Sequence, residues 1–198
     1  EDITGSPVSD ESIDGAIGLY NRMRELFKAI SLTRVTDDPA ISSLDFVKLN
    51  HTSFYADPVE MVKALRQAYD QLGDVGVAQA VAERAASSRP RLALVGPNLS
   101  YGDYDILDIV EECGGEVVIE DIFEGIRDYW QSVVPGSEPI EALARSCLLD
   151  KTPNMFMRSS AQPRVEELLR LAREFRVDGV IWYELVCCEL YDEEAFFF

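Results

Sequence analysis

Apolar residues recur at helical spacing through the first part of the chain and in short unbroken runs through the second, and the pattern changes near residue 90. Ile13, Ile17, Tyr20, Met23, Phe27 and Ile30 predict a helix running to about Thr33, with Ser9 as its cap and Asp10 and Glu11 at its positive end. A shorter helix is expected over Ser43 to Phe54. Asp57-Pro58 then supplies a cap and a first-turn proline for a third helix through about Leu72. Ala78 to Ala86 can extend as a helix, and Ser87-Ser-Arg-Pro90 reads as a junction.

Beyond the junction, Arg91 to Gly96 reads as a buried strand with a turn, Ile106 to Cys113 as an amphipathic helix closed by Gly114-Gly115, and Glu116 to Asp121 as a second strand. Helices are expected at Gly125 to Val133, Pro139 to Leu149 and Pro163 to Phe175, before a strand over Gly179 to Leu185. Strands alternating with helices imply an α/β fold with a parallel sheet. The expected organisation is a helical segment over 1–89 followed by a Rossmann-like domain, helices flanking its sheet, over 90–198.

The last expected strand delivers Cys187 and Cys188 at its carboxyl end, where open parallel sheets bind ligands. A thiolate there is a candidate iron–sulfur ligand, and equally a candidate buried thiol. If the strand continues, the two side chains point to opposite faces, so at most one enters a given cleft. One thiol cannot hold a cluster, which takes three or four. Cys113 at a helix end and Cys147 within a helix read as packing residues.

Other strand-end residues form the remaining candidate cleft. The loop Gly96-Pro-Asn-Leu-Ser-Tyr-Gly102 is a turn first and a ligand loop second, with Ser100 and Tyr101 at its tip. Glu120, Asp121 and Glu124 can act as acid, base or hydrogen-bond partners, or serve only as charge at a helix start. Arg158 is available for a phosphate or carboxylate beside the capping hydroxyls of Ser159 and Ser160. The single histidine, His51, reads as a surface or satisfied imidazole.

Charge narrows the partners. Among 198 residues, 36 acidic against 18 basic give a formal net charge of −18, which disfavours nucleic acid and anionic membrane. An anionic substrate such as a coenzyme A ester needs a local cluster of Arg and Lys. Four cysteines without a signal-like start read as a reduced, cytoplasmic protein, and apolar runs such as Leu92 to Val95 are too short to span a bilayer. The absence of an initiating Met and the bare apolar end at Phe198 read as a piece of a longer polypeptide.

Four blocks carry a further likeness: Ile3-Thr-Gly5 with Val8 to Glu11 and Leu19 to Arg22; Tyr101-Gly-Asp103 with Gly114 to Val118 and Gly125-Ile-Arg127; Met157 to Ser160; and Val177 to Cys188. By these blocks the chain resembles the benzoyl-CoA reductase and 2-hydroxyacyl-CoA dehydratase family, close to the D component of 2-hydroxyglutaryl-CoA dehydratase. The first block looks like the family's inter-domain helix and the second like its second α/β domain.

The resemblance implies a [4Fe-4S] cluster held between two Rossmann-like domains, with Cys188 as a ligand and Cys187 as the fallback. It implies a coenzyme A thioester as substrate, a homologous second subunit, and an ATP-dependent iron–sulfur activator that supplies low-potential electrons. The expected function is therefore part of an activator-dependent dehydratase or reductase subunit. The alternatives are a double-cluster reductase of small molecules or a non-catalytic electron-transfer or partner subunit. On this resemblance the family's first domain and its closing βα unit are expected to lie outside these 198 residues, and Lys151-Thr-Pro-Asn-Met155 stands where some relatives carry cysteines. The 198 residues alone are expected to hold no cluster and to show no activity.

Overall fold

A computed structural model describes residues 5, 7–36, 39–72, 89–152 and 162–196. Helix α1 spans Asp10–Leu32, and its start is fixed by Ser9, whose Oγ accepts the Ser12 N–H at 3.2 Å. A tight turn over Thr33–Val35 follows, then α2 at Ser43–Thr52 and α3 at Pro58–Leu72. Asp57 Oδ1 accepts the Val59 and Glu60 N–H groups at 2.9 and 3.1 Å, so the Asp-Pro pair starts α3 as its chemistry demands.

The α/β part runs β1 (Arg91–Val95), α4 (Asp105–Glu112), β2 (Glu116–Asp121), α5 (Ile126–Tyr129), α6 (Pro139–Arg145), α7 (Gln162–Glu174), β3 (Gly179–Trp182) and α8 (Glu189–Glu194). Its strands pair in parallel in the order β2-β1-β3. This is the α/β fold with a helical preface that the hydrophobic pattern predicts.

Period-two alternation assigns the faces of the central strand. Ala93 and Val95 join a core with Phe27, Ile30, Phe46 and Phe175, while Leu94 turns to a second core with Val47, Leu107 and Val110. The helical segment thus packs directly on the sheet. Each fully buried Ile, Leu or Phe contributes about 1.5–3 kcal/mol, so the shared core binds the two parts firmly.

Several elements differ from expectation for physical reasons. The helix expected from Gly125 to Val133 shrinks to the single turn of α5. Asn21 of α1 captures the backbone beyond it, accepting the Val133 N–H and donating to the Val133 carbonyl, both at 2.8 Å. Helix α6 passes into a wider turn over Ser146–Asp150. Strand β3 stops at Trp182 instead of Leu185, because its partner β1 ends at Val95. The bond from the Tyr183 N–H to the Val95 carbonyl, at 2.7 Å, closes the pairing. Cys113 and Cys147 are exposed, which corrects their reading as packing residues: one caps the end of the short α4 and the other lies in the wide turn after α6. The expected extension over Ala78 to Ala86 and most of the junction lie outside the described residues. Among the described residues, no helix is long and apolar enough to cross a membrane.

Candidate functional site

The strand order locates the site. The connection after β1 leads to β2 on one side, while β3 lies on the other, and such a reversal opens a crevice at the carboxyl ends of the strands. Residues 96–104 after β1 and 183–188 after β3 meet there. The approach is so close that a Cβ on Gly96 would stand 2.2 Å from the Tyr183 carbonyl oxygen, which is why glycine occupies the position.

Both adjacent cysteines lie beyond the end of β3, in a turn and not in a continuing strand. Cys187 has φ 70° and an exposed side chain. Cys188 is half-buried at the head of α8; its N–H donates to the Leu185 carbonyl at 3.0 Å, and its carbonyl accepts the Tyr191 N–H at 3.0 Å. Geometry therefore separates the two thiols: one stands on the outside of the turn and the other at a fixed helix start.

Three carboxylates from the end of β2 and the loop after it each meet a cation or an imidazole. Glu120, 1% exposed, accepts from Arg34 Nη1 and Nη2 at 2.6 and 2.8 Å and from Ser43 Oγ at 2.7 Å. Burial opposes the charge on Arg34, but Glu120 outweighs it and holds the guanidinium pKa above its ordinary value. Asp121 pairs with Arg127 Nε at 2.9 Å. Glu124 Oε1 accepts the Leu99 N–H at 2.7 Å and lies 3.2 Å from His51 Nε2, and His51 Nδ1 lies 3.1 Å from the Tyr104 hydroxyl. His51 is thus a satisfied, buried imidazole beneath the β1 loop.

The other candidates take different places. Ser100 and Tyr101 are exposed on that loop, and the Tyr101 ring stacks on His51 with centroids 6.2 Å apart. Glu120 is inside the protein, engaged by Arg34 and Ser43. Arg158, Ser159 and Ser160 lie outside the described residues. Tyr183 has its phenol pKa raised, by burial first and then by Asp103 and Glu124, as an acid-rich crevice requires.

Sequence reasoning gave no site role to the buried arginines Arg127 and Arg164. Arg127 Nη2 donates to the Gly96 and Asp121 carbonyls, each at 2.6 Å, and its Nη1 donates to the Tyr191 hydroxyl at 2.8 Å. Arg164 of α7 pairs with Glu194 of α8. Burial pushes the Glu194 carboxyl above the usual carboxylate range against the pull of Arg164.

Among the described residues, no group of three or more His, Cys, Asp or Glu is arranged to hold a metal ion. Cys113 follows α4, which returns from the carboxyl edge, so it stands at the opposite edge of the sheet. An iron–sulfur cluster takes three or four thiolates. The residues fit one corner of such a group, with Cys188 at the crevice and Cys187 beside it, and not a complete site.

The family model described as 2-hydroxyglutaryl-CoA dehydratase, D-component, matches residues 1–198. The chain is 22% identical over 189 residues to the (R)-phenyllactyl-CoA dehydratase beta subunit of Clostridium sporogenes, covering 96% of this chain and 48% of that protein. It is 25% identical over 203 residues to the protein named "Putative dehydratase subunit YjiM" of Escherichia coli strain K12, covering 98% of this chain and 49% of that protein. The chain therefore spans about half the length of the curated relatives it matches.

Proposed function

The chain belongs to the family of 2-hydroxyglutaryl-CoA dehydratase D components, and from that premise we propose that it forms part of an iron–sulfur subunit of an activator-dependent 2-hydroxyacyl-CoA dehydratase, with Cys188 as one thiolate ligand. The observation that carries this reading is the place of Cys188: half-buried, at a helix start, on the carboxyl edge beside the crevice. Cys187 is the alternative ligand, and the remaining ligands come from outside the described residues.

When bound, a cluster of this kind supplies single electrons and an open iron for a thioester oxygen, chemistry that side chains lack. The chain's own residues shape the crevice. Gly96 lets the two loops close on each other, and Ser100 and Tyr101 present a hydroxyl and a ring at its mouth. Glu120, Asp121 and Glu124 hold the carboxyl edge together from within.

The substrate on this reading is a 2-hydroxyacyl-CoA thioester. The partners are a homologous second subunit and an ATP-dependent iron–sulfur activator. A partner-subunit role is the second reading, favoured by the exposed Asp103, Asp105 and Asp108 around the β1 loop, which repel the phosphates of coenzyme A.

With the intact subunit, its partner and an ATP-driven reductant, a 2-hydroxyacyl-CoA is expected to lose water to the enoyl-CoA. Replacing Cys188 by alanine is expected to lower kcat by more than about 100-fold, beyond what loss of an outer-shell partner costs, while Cys187→Ala stays close to wild type. Full turnover in the Cys188 variant contradicts the assignment.

A further inference from the structure

We propose that Arg127 is a positioning residue for Cys188, acting through Tyr191 to fix the helix start that carries the thiol against the ends of β1 and β2. The inference rests on the reading of Cys188 as a ligand.

One guanidinium makes every connection. Its Nη2 bridges the carbonyls of Gly96, just after β1, and Asp121, the last residue of β2; its Nε faces the Asp121 carboxylate; its Nη1 reaches the Tyr191 hydroxyl. A planar, five-donor fork can serve all of these groups in one orientation, and a lysine cannot. Tyr191 in turn donates its N–H to the Cys188 carbonyl at 3.0 Å, one turn away. Its ring is 6% exposed and lies 6.2 Å from the Trp182 ring at the end of β3. Three strand ends and the cysteine helix therefore share one buried junction.

Charge balance alone does not call for this arrangement. Asp121 already neutralises Arg127, so the Tyr191 contact adds position and not compensation. Helix α8, with six residues, is too short to be stable by itself and takes its place from the residues it buries, Tyr191 and Glu194. The Arg164–Glu194 pair holds its far end and the Arg127–Tyr191 bond its near end. A metal ligand must sit within about 0.5 Å of its working position, and a half-buried thiol on a short helix meets that need only when the helix is clamped.

The test uses the intact subunit with Cys187→Ala as background, stripped of iron by an anaerobic chelator. Alkylation of Cys188 by iodoacetamide is followed by mass spectrometry, with the exposed Cys113 as internal reference. Tyr191→Phe keeps the ring and removes only the acceptor. It is expected to speed Cys188 alkylation about tenfold by loosening α8, leaving Cys113 unchanged. Arg127→Lys, which keeps the charge, is expected to act in the same direction, and the double variant to add little to either single one. Unchanged Cys188 rates in folded Tyr191→Phe protein overturn the inference even where Arg127→Lys does not fold. In the iron-loaded protein, Tyr191→Phe is expected to broaden the electron paramagnetic resonance signal. A wild type that binds no iron overturns the ligand reading instead, and the alkylation result stands apart from it.

Discussion

Replacing Arg34 by methionine is expected to destabilise the fold by about 3–5 kcal/mol, the cost of leaving one member of a buried pair uncompensated. Arg34 and Glu120 are each 1% exposed and bond through both terminal guanidinium nitrogens, at 2.6 and 2.8 Å. The Arg34 guanidinium also lies 4.0 Å from the centroid of the Phe46 ring, and its Nη2 donates to Ser31 Oγ at 3.3 Å. The pair joins the turn after α1 to the end of β2, across 86 residues of sequence. Arg34→Met strands the Glu120 carboxylate in the core with Ser43 as its remaining donor. The double variant Arg34→Met with Glu120→Leu removes both charges and is expected to recover most of the loss. Urea denaturation of the single and double variants checks this, and losses that simply add contradict it.

Gly96→Ala is expected to cost about 3 kcal/mol, at the upper end of ordinary overpacking. The new methyl would lie 2.2 Å from the Tyr183 carbonyl oxygen, and that oxygen is backbone held by the pairing of β1 with β3. Relief requires the two crevice loops to part. Gly15→Ala is the control, because no atom stands within 4 Å of its added carbon and its helical backbone suits alanine. That variant is expected to gain about 0.5–1 kcal/mol. Equal melting temperatures for the two variants contradict the close approach.

The legible parts of the fold are those whose signal is local. Ser9, the Asp57-Pro58 pair and the apolar spacing of α1 mark helices within a few residues of their bounds. Glu116 to Asp121 forms a strand over the expected residues. Where distant groups decide, the reading falls short. The chain near Val133 is not helical, and Asn21, 112 residues away, holds its backbone. Strand β3 is short because β1 ends, a fact located elsewhere in the chain. The same holds for the site: Cys187 and Cys188 are conspicuous in the sequence, whereas their different exposure follows from the turn beyond β3. Glu120 is visible as a carboxylate at a strand end, and only the fold shows that Arg34 claims it. Arg127 and Tyr191 carry no local mark of their meeting.

Anaerobic iron and sulfide content, with electron paramagnetic resonance, on the intact subunit as wild type, Cys188→Ala and Cys187→Ala decides whether the Cys188 thiolate holds iron. A cluster is expected in the wild type and in Cys187→Ala, and its loss in Cys188→Ala. Undiminished iron and an unaltered spectrum in Cys188→Ala contradict it.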